Sequence, residues 1–233
     1  MQPSYIPWRG SFDLISRVDL FVFYDDVQYD RRGWRNRNRV KTPSGTEWLT
    51  IPVHARGAQR EGTPILAVET AGSDWAREHL DTLTRLYRQA PHFEQYRPWL
   101  ERVYAAPPPL LAELTIGLTL DLAGFLGISG TRFLRSSELG VSGTKTERLV
   151  RVLQAVGATQ YVSGPAARSY LDEPMLAAHG IGLEWMRYDY PEYPQLYPPF
   201  DPHVTVLDLL FMTGDAARDY LRPARVDGVG SIR

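Results

Sequence analysis

Two adjacent carboxylates, Asp25-Asp26, directly follow the apolar run Val18-Asp19-Leu20-Phe21-Val22-Phe23-Tyr24. A carboxylate at the end of a buried strand can orient an amine or hydroxyl, hold a magnesium ion, or accept a proton. Strand side chains alternate between faces, so one of the two is expected to face a ligand while the other serves the turn. Asp26 is the favoured base or amine anchor and Asp25 the alternative. Asp26 stands closer to Gln28, a neutral hydrogen-bonding neighbour, and to the arginines beyond it.

Those arginines form the second chemical feature. Arg31, Arg32, Arg35, Arg37, Arg39 and Lys41 place six cations in eleven residues with no acid among them. If Trp34-Arg35-Asn36-Arg37-Asn38-Arg39 is a strand, Arg35, Arg37 and Arg39 share one face, and Trp34, Asn36 and Asn38 the other. Three guanidinium groups in a row form a fork for phosphate or carboxylate, with Asn36 beside them; the plain alternative is a solvated charged face. Lys145 is one of two lysines in the chain and sits in Ser142-Gly143-Thr144-Lys145-Thr146, at the start of a predicted helix. The helix dipole disfavours a cation there unless an anion joins it.

Two turns add to this set. Pro7-Trp8-Arg9-Gly10-Ser11 reads as a strand-to-helix turn in which Ser11 caps the helix and Gly10 lets a ligand approach the backbone. Trp8 lines the site in this reading and packs in the core in the other. Ser163-Gly164-Pro165, with Arg168 behind it, offers a second anion site at a helix start. The five histidines are scattered without metal spacing, His79 and His179 read equally well as helix-surface residues, and no cysteine is present, so no metal site is expected.

These residues need elements to position them. The pattern predicts a strand over 2–6, a helix over 11–17 and a strand over 20–25, followed by a hairpin from 35–42 and 46–53. Residues 63–69 read as an edge strand. Helices are expected over 73–89, 92–104 and 110–126, the last two parted by Pro107-Pro108-Pro109. Then come a strand at 131–135, a helix at 145–156, a strand end at 161–163, a helix over 169–179, a strand over 183–188 and a helix over 204–212. The segment beyond about Arg222 is expected to be loosely ordered. The alternation argues for an α/β fold with one mostly parallel, Rossmann-like sheet, an inserted β-hairpin and a mainly helical C-terminal half. The 233 residues are read as a single domain with a subdivision near 105–110. In such sheets ligands bind at the carboxyl ends of strands, where Asp25-Asp26, Ser136-Ser137 and Ser163-Gly164 all fall.

A net charge of −1 argues against a global field for nucleic acid, which is therefore not the expected partner. The 110–126 stretch is interrupted by Glu113, Thr115, Thr119 and Asp121, which suits a buried helix and not a bilayer span. Gln2-Pro3-Ser4 shows no basic-then-apolar signal pattern, so a cytoplasmic location is expected.

With these residues assembled, the chain resembles the WbqC-like family of bacterial proteins. The likeness rests on Gln2-Pro3-x-Tyr5-x-Pro7-Trp8-x-Gly10, Asp25-Asp26-Val27-Gln28-Tyr29, Trp34-x-Asn36-Arg37, Ser136-Ser137, Lys145 with Arg148-Leu149, Tyr161-x-Ser163-Gly164 and Asp208-Leu209-Leu210. It implies a role in surface-polysaccharide or natural-product biosynthesis, in modifying amino sugars or related amines. A remoter likeness joins the order Pro-Trp-x-Gly-Ser, helix, Asp-x-Phe-Val-Phe to nucleotidyltransferase-like adenylating enzymes. Those carry a His-x-Gly-His turn where this chain has Trp8-Arg9-Gly10-Ser11, so both histidines are missing. That likeness leaves ATP with magnesium open as a cofactor. The resulting expectation is an enzyme that joins an acyl or aminoacyl group to an amine on a small anionic acceptor, such as a nucleotide-linked amino sugar. The alternative is a non-catalytic binding module for a nucleotide sugar or a carrier-bound intermediate.

Overall fold

A computed structural model describes residues 1–54 and 62–222. The expectation for the segment beyond Arg222 lies outside the described residues. In chain order the elements are helix α1 (Arg9–Ser16), strand β1 (Leu20–Phe23), the hairpin β2 (Arg37–Thr42) and β3 (Gly45–Thr50), and helices α2 (Asp74–Tyr87), α3 (Phe93–Ala105) and α4 (Leu111–Phe125). Strand β4 (Arg132–Arg135), helix α5 (Lys145–Ala155), strand β5 (Gln160–Ser163), helix α6 (Glu173–Ala178), strand β6 (Gly182–Trp185) and helix α7 (Val206–Thr213) complete the set. The architecture is mixed α/β.

The sheet arrangement corrects the single mostly parallel sheet. Among the described residues there are three two-stranded sheets: β1 with β4 and β5 with β6, both parallel, and β2 with β3, antiparallel. The predicted first strand over 2–6 does not form, because Pro3 and Pro7 have no N–H to give to a ladder and Ile6 turns to φ +41°. Side chains hold this segment instead. The Asn38 amide donates to the carbonyls of Tyr5 (3.1 Å) and Ile6 (2.6 Å), and only Met1 reaches β1, through bonds to Val22 and Tyr24. The predicted edge strand over 63–69 is a 3₁₀ turn at Ile65–Ala67 flanked by isolated bridges, Pro64 again lacking a donor. The predicted helix over 169–179 shortens to α6, because Asp172 caps it by accepting the Met175 N–H at 3.0 Å.

The main core is built on α4, which buries one broad apolar face and leaves Glu113, Leu120, Asp121, Gly124 and Phe125 exposed. Leu111, Leu114, Leu118 and Leu122 are buried there, and the Thr115 and Thr119 hydroxyls are satisfied by carbonyls one turn back at 2.8 Å. Gly127, at φ +65°, ends the helix in a left-handed turn that delivers the chain to β4. The main core continues across residues 105–110, with Tyr104 and Leu111 both inside it. A second, smaller cluster joins Val150, Leu153, Leu176 and Ile181 around β5, α6 and β6. His79, for which a helix-surface place read equally well, is buried on α2 against Tyr5, whose hydroxyl lies 2.9 Å from its Nδ1. Burial lowers the His79 pKa to about 4.

Lys41, counted among the exposed-looking cations, is almost fully buried and its Nζ donates to the Pro199 carbonyl at 2.5 Å. Nearby, Asp208 of α7 accepts from Tyr87 (2.9 Å), Tyr193 (2.8 Å) and Gln195 (2.8 Å). Burial raises the Asp208 pKa, those hydrogen bonds opposing it.

Candidate functional site

The parallel register of β1 and β4 builds the centre of the site. Phe23 stands opposite Arg135, so the chains leave the two strands side by side and place Asp25-Asp26 against Ser136-Ser137. Asp25 is buried, and its carboxylate accepts the Ser137 N–H at 3.1 Å and the Ser137 hydroxyl at 2.8 Å. The Ser136 hydroxyl lies 3.3 Å from Asp25 and closer still to Asp26; having one proton, it donates to Asp26. Asp26 is also met by Arg148 of α5, whose Nη2 is 2.5 Å from Oδ2. Burial pushes the Asp26 carboxyl up, but the hydrogen bonds from Arg148 and Ser136 outweigh it and hold the group below its ordinary value.

Arg148 is fixed from two further directions. Its Nε donates to the Val141 carbonyl at 3.3 Å, and its guanidinium lies 5.2 Å from the Tyr24 ring centre. Gly143, at φ +120°, lies just before α5, where an added Cβ would stand 3.4 Å from the Arg148 Cα, so the turn into the helix runs close to the base of this arginine. The Tyr24 hydroxyl is buried and has no hydrogen-bond partner among the described residues. Burial pushes it up to about 12, with Arg148 pulling the other way. A buried donor without an acceptor, next to a charged pair, is an exception that calls for an explanation.

The second parallel pair, β5 with β6, positions the other strand-end residues. Ser163 ends β5 opposite Trp185 and is buried, and burial raises the pKa of Tyr161 two residues before it. A Cβ on Gly164 would stand 2.7 Å from the Tyr188 hydroxyl, so this glycine admits the tyrosine. The Tyr188 ring packs edge-on against Trp8 at 4.9 Å, and Trp8 also meets Tyr190 at 6.2 Å and His203 at 5.9 Å. Trp8, Gly164 and Ser163 thus share an aromatic wall, with Tyr188 as the link.

Other sequence-selected residues have different surroundings. Gly10 carries the Trp8 indole over its backbone, where a Cβ would lie 2.3 Å from the ring; the space expected for a ligand holds that ring. Ser11 is buried inside α1, not at its cap, because the helix begins at Arg9 with Trp8 as the extended flanking residue. Gln28 is exposed and bridges Pro64. Arg35 turns inward to the carbonyls of Gln2 (2.9 Å) and Pro3 (3.4 Å), and burial lowers its pKa to about 10. The Asn36 amide donates to Ile51 at 2.8 Å. Arg37 bonds the carbonyls of Gly33 and Arg32 and lies 4.6 Å over Trp48. Lys145 is exposed at the start of α5 with φ +50°, and Arg168 is exposed, stacked 5.0 Å over Trp185. Tyr24 and Tyr188 are the residues added by the structure, which also gives Arg148, until then only a motif position, its partner in Asp26. Arg148 carries a sequence signal, standing three positions after Lys145 and so on the same side of one helix; Tyr188 has none beyond the tyrosine-rich loop around it.

Two concavities lie elsewhere. One, of about 220 Å³, adjoins Arg17, Asp19, Thr131 and Arg218 at the amino ends of β1 and β4. The other is an open groove of about 690 Å³ along Leu171, Pro174, Ala177 and Ile181. Among the described residues no group of three or more His, Asp or Glu side chains is placed to hold a metal ion, and no helix is long and apolar enough to cross a membrane.

Fold and site together define a mixed α/β protein with a carboxylate–arginine centre at the carboxyl ends of paired parallel strands. The chain belongs to the WbqC-like protein family, which it matches over residues 2–220. It is 44% identical over 227 residues to the uncharacterized protein Rv1507c of Mycobacterium tuberculosis (strain ATCC 25618 / H37Rv), covering 97% of each chain. No solved structure matches it.

Proposed function

We propose that this chain is a biosynthetic enzyme that joins an acyl or aminoacyl group to the amine of a small anionic acceptor, such as a nucleotide-linked amino sugar. The observation that carries the reading is the partly open Asp26–Arg148 pair beside the unpartnered Tyr24 hydroxyl. Opposite charges held together can receive a substrate that itself carries an ammonium and an anion: the ammonium goes to Asp26, the anion to Arg148 with Lys145 nearby in sequence. The Tyr24 hydroxyl donates to the same anion.

Attack on an acyl carbon requires the amine uncharged. While Arg148 holds it, Asp26 is a weak base. An acceptor anion that draws Arg148 away removes the main influence lowering the carboxyl, and burial then raises its basicity. Asp26 takes one proton from the ammonium, the nitrogen lone pair forms the bond to the acyl carbon, the donor's leaving group departs with the electrons of the broken bond, and the surplus N–H proton passes to that leaving group to give the neutral amide. The aromatic wall of Trp8 and Tyr188 supports a flat ring of the acceptor.

The test is single-turnover mass spectrometry on nucleotide-linked amino sugars, with acyl and aminoacyl donors and with ATP and an amino acid. The expected result is a mass gain on the amine, reduced at least about 100-fold in Asp26→Asn, the low end for loss of a general base, with acceptor binding weakened far less than turnover. Acceptor binding without mass gain under every donor would favour the second reading, a non-catalytic binding module. One observation supports that reading: both strand-end carboxylates already have hydrogen-bond donors, Ser137 on Asp25 and Ser136 with Arg148 on Asp26.

A further inference from the structure

We propose that the outward face of the β2–β3 hairpin binds an unpaired RNA strand, bases stacking on Trp34 and Trp48 and phosphates meeting Arg31, Arg32, Arg37 and Arg39. The alternation of the hairpin sorts the chemistry. On β2, Asn36, Asn38 and Val40 point inward and are buried, leaving Arg37 and Arg39 on the other side. On β3, Leu49 is inward, and Thr46, Trp48 and Thr50 take the outward side. No carboxylate alternates onto this face of either strand. Glu47 has the parity of Leu49 and approaches Arg85 at 3.7 Å, and the Asp30 carboxylate of the adjoining turn accepts the Arg32 N–H at 2.9 Å.

The two tryptophans are exposed, Trp34 at 42% and Trp48 at 44%, and their rings lie 5.1 Å apart. Large aromatic side chains left this open usually mark a contact surface. Guanidinium groups run through the pair: Arg37 lies 4.6 Å over Trp48, and Arg39 lies 5.7 Å from Trp34 and 5.8 Å from Trp48. Cross-strand pairing of Arg39 with Trp48 fixes that order. Arg31 and Arg32 are exposed and form no ion pair among the described residues. Indole and guanidinium planes side by side are the surface on which unpaired RNA ends and loops stack, while phosphates answer the excess positive charge. A neutral sugar polymer would use the rings and leave the excess positive charge of the face unanswered.

The face also continues toward the strand-end site. Arg39 donates to the His203 carbonyl at 3.0 Å, and the His203 ring adjoins Trp8. The proposal does not rest on the reaction assigned above.

The test titrates the intact chain with unstructured single-stranded RNA of about 12 nucleotides, within the span such sites cover, following tryptophan fluorescence and a labelled strand. DNA of the same sequence, the RNA duplex and a neutral oligosaccharide are the comparison arms. The single RNA strand is expected to bind most tightly. Trp34→Ala and Trp48→Ala should each weaken binding about 5- to 150-fold, the stacking contribution of one base, while Trp48→Phe keeps most of it. Arg39→Gln should reduce the salt slope by about 0.7, one phosphate contact on a single strand. Asp26→Asn should leave RNA binding unchanged. Circular dichroism confirms that each variant is folded. Absence of binding at low salt, or binding indifferent to both tryptophans, overturns the proposal. DNA binding as tightly as RNA overturns the choice of RNA, and salt-independent binding of the oligosaccharide assigns the face to sugar instead.

Discussion

Breaking the Asp26–Arg148 pair offers a quantitative test of how the site is held. Its two side chains are 22% and 11% exposed and 2.5 Å apart. A hydrogen bond between charged groups contributes about 1.5–3 kcal/mol, and the partial opening on the Asp26 side keeps the value below the 3–5 kcal/mol range for fully buried pairs. Arg148→Met, Asp26→Asn and the double variant form a cycle with an expected coupling of about 2 kcal/mol. The Tyr24 stacking and the Val141 bond of Arg148 are lost in both methionine variants, so they cancel. At this chain length about 2 kcal/mol shifts the thermal midpoint by roughly 4–8 °C. Urea unfolding followed by far-ultraviolet circular dichroism gives the four stabilities. The pH dependence has a definite sign. Asp26 titrates below its ordinary 3.8 in the folded chain, so its stabilisation is complete above that value and disappears as pH falls through the folded pKa. Stabilities that add to within about 0.5 kcal/mol at neutral pH, or a coupling that persists once Asp26 is protonated, would refute the reasoning.

Other expectations follow from particular contacts. Gly10→Ala forces the Trp8 indole off the helix start and should cost about 1–3 kcal/mol as an overpacking change, with altered tryptophan fluorescence; Gly164→Ala meets only the mobile end of Tyr188 and should cost less. Arg35→Ala should destabilise by about 1–3 kcal/mol through loss of its backbone bonds, whereas Arg37→Ala should leave the melting temperature close to wild type; thermal unfolding compares the two. His79 is held neutral by burial with a folded pKa near 4 against an ordinary 6.5. Stability should therefore fall as pH drops below about 6.5 toward 4, because the unfolded chain takes up a proton the folded chain refuses. His79→Gln should flatten that part of a urea-midpoint profile, and an unchanged slope would remove His79 as its cause.

Local patterns in the chain determined much of what is seen. The apolar run before Asp25, the helical spacing of Trp75, His79, Leu83 and Leu86, and the Gly127 stop each act over a few neighbouring residues, so the strand, the helix and the turn were legible. Alternation separated Asn36 and Asn38 from Arg37 and Arg39, but Trp34 and Arg35 precede the strand and each takes the face opposite to the one alternation gave it, Trp34 joining Trp48 outside and Arg35 turning inward. The placement of Asp25-Asp26 and Ser136-Ser137 at strand ends was legible for the same reason. Only the tertiary structure decided partners. Residues more than a hundred positions apart meet because β1 and β4 pair in parallel, and that register brings Ser136 to Asp26 and sets Arg148 beside both. The arginine run looked uniform in sequence, yet packing divided it: Arg35 ties down the N-terminal segment, Lys41 is buried under the Pro199 loop, and Arg37 and Arg39 remain on the outer face with two tryptophans. A run of charges fixes its own spacing, but which members lose their water depends on what the rest of the chain folds over them.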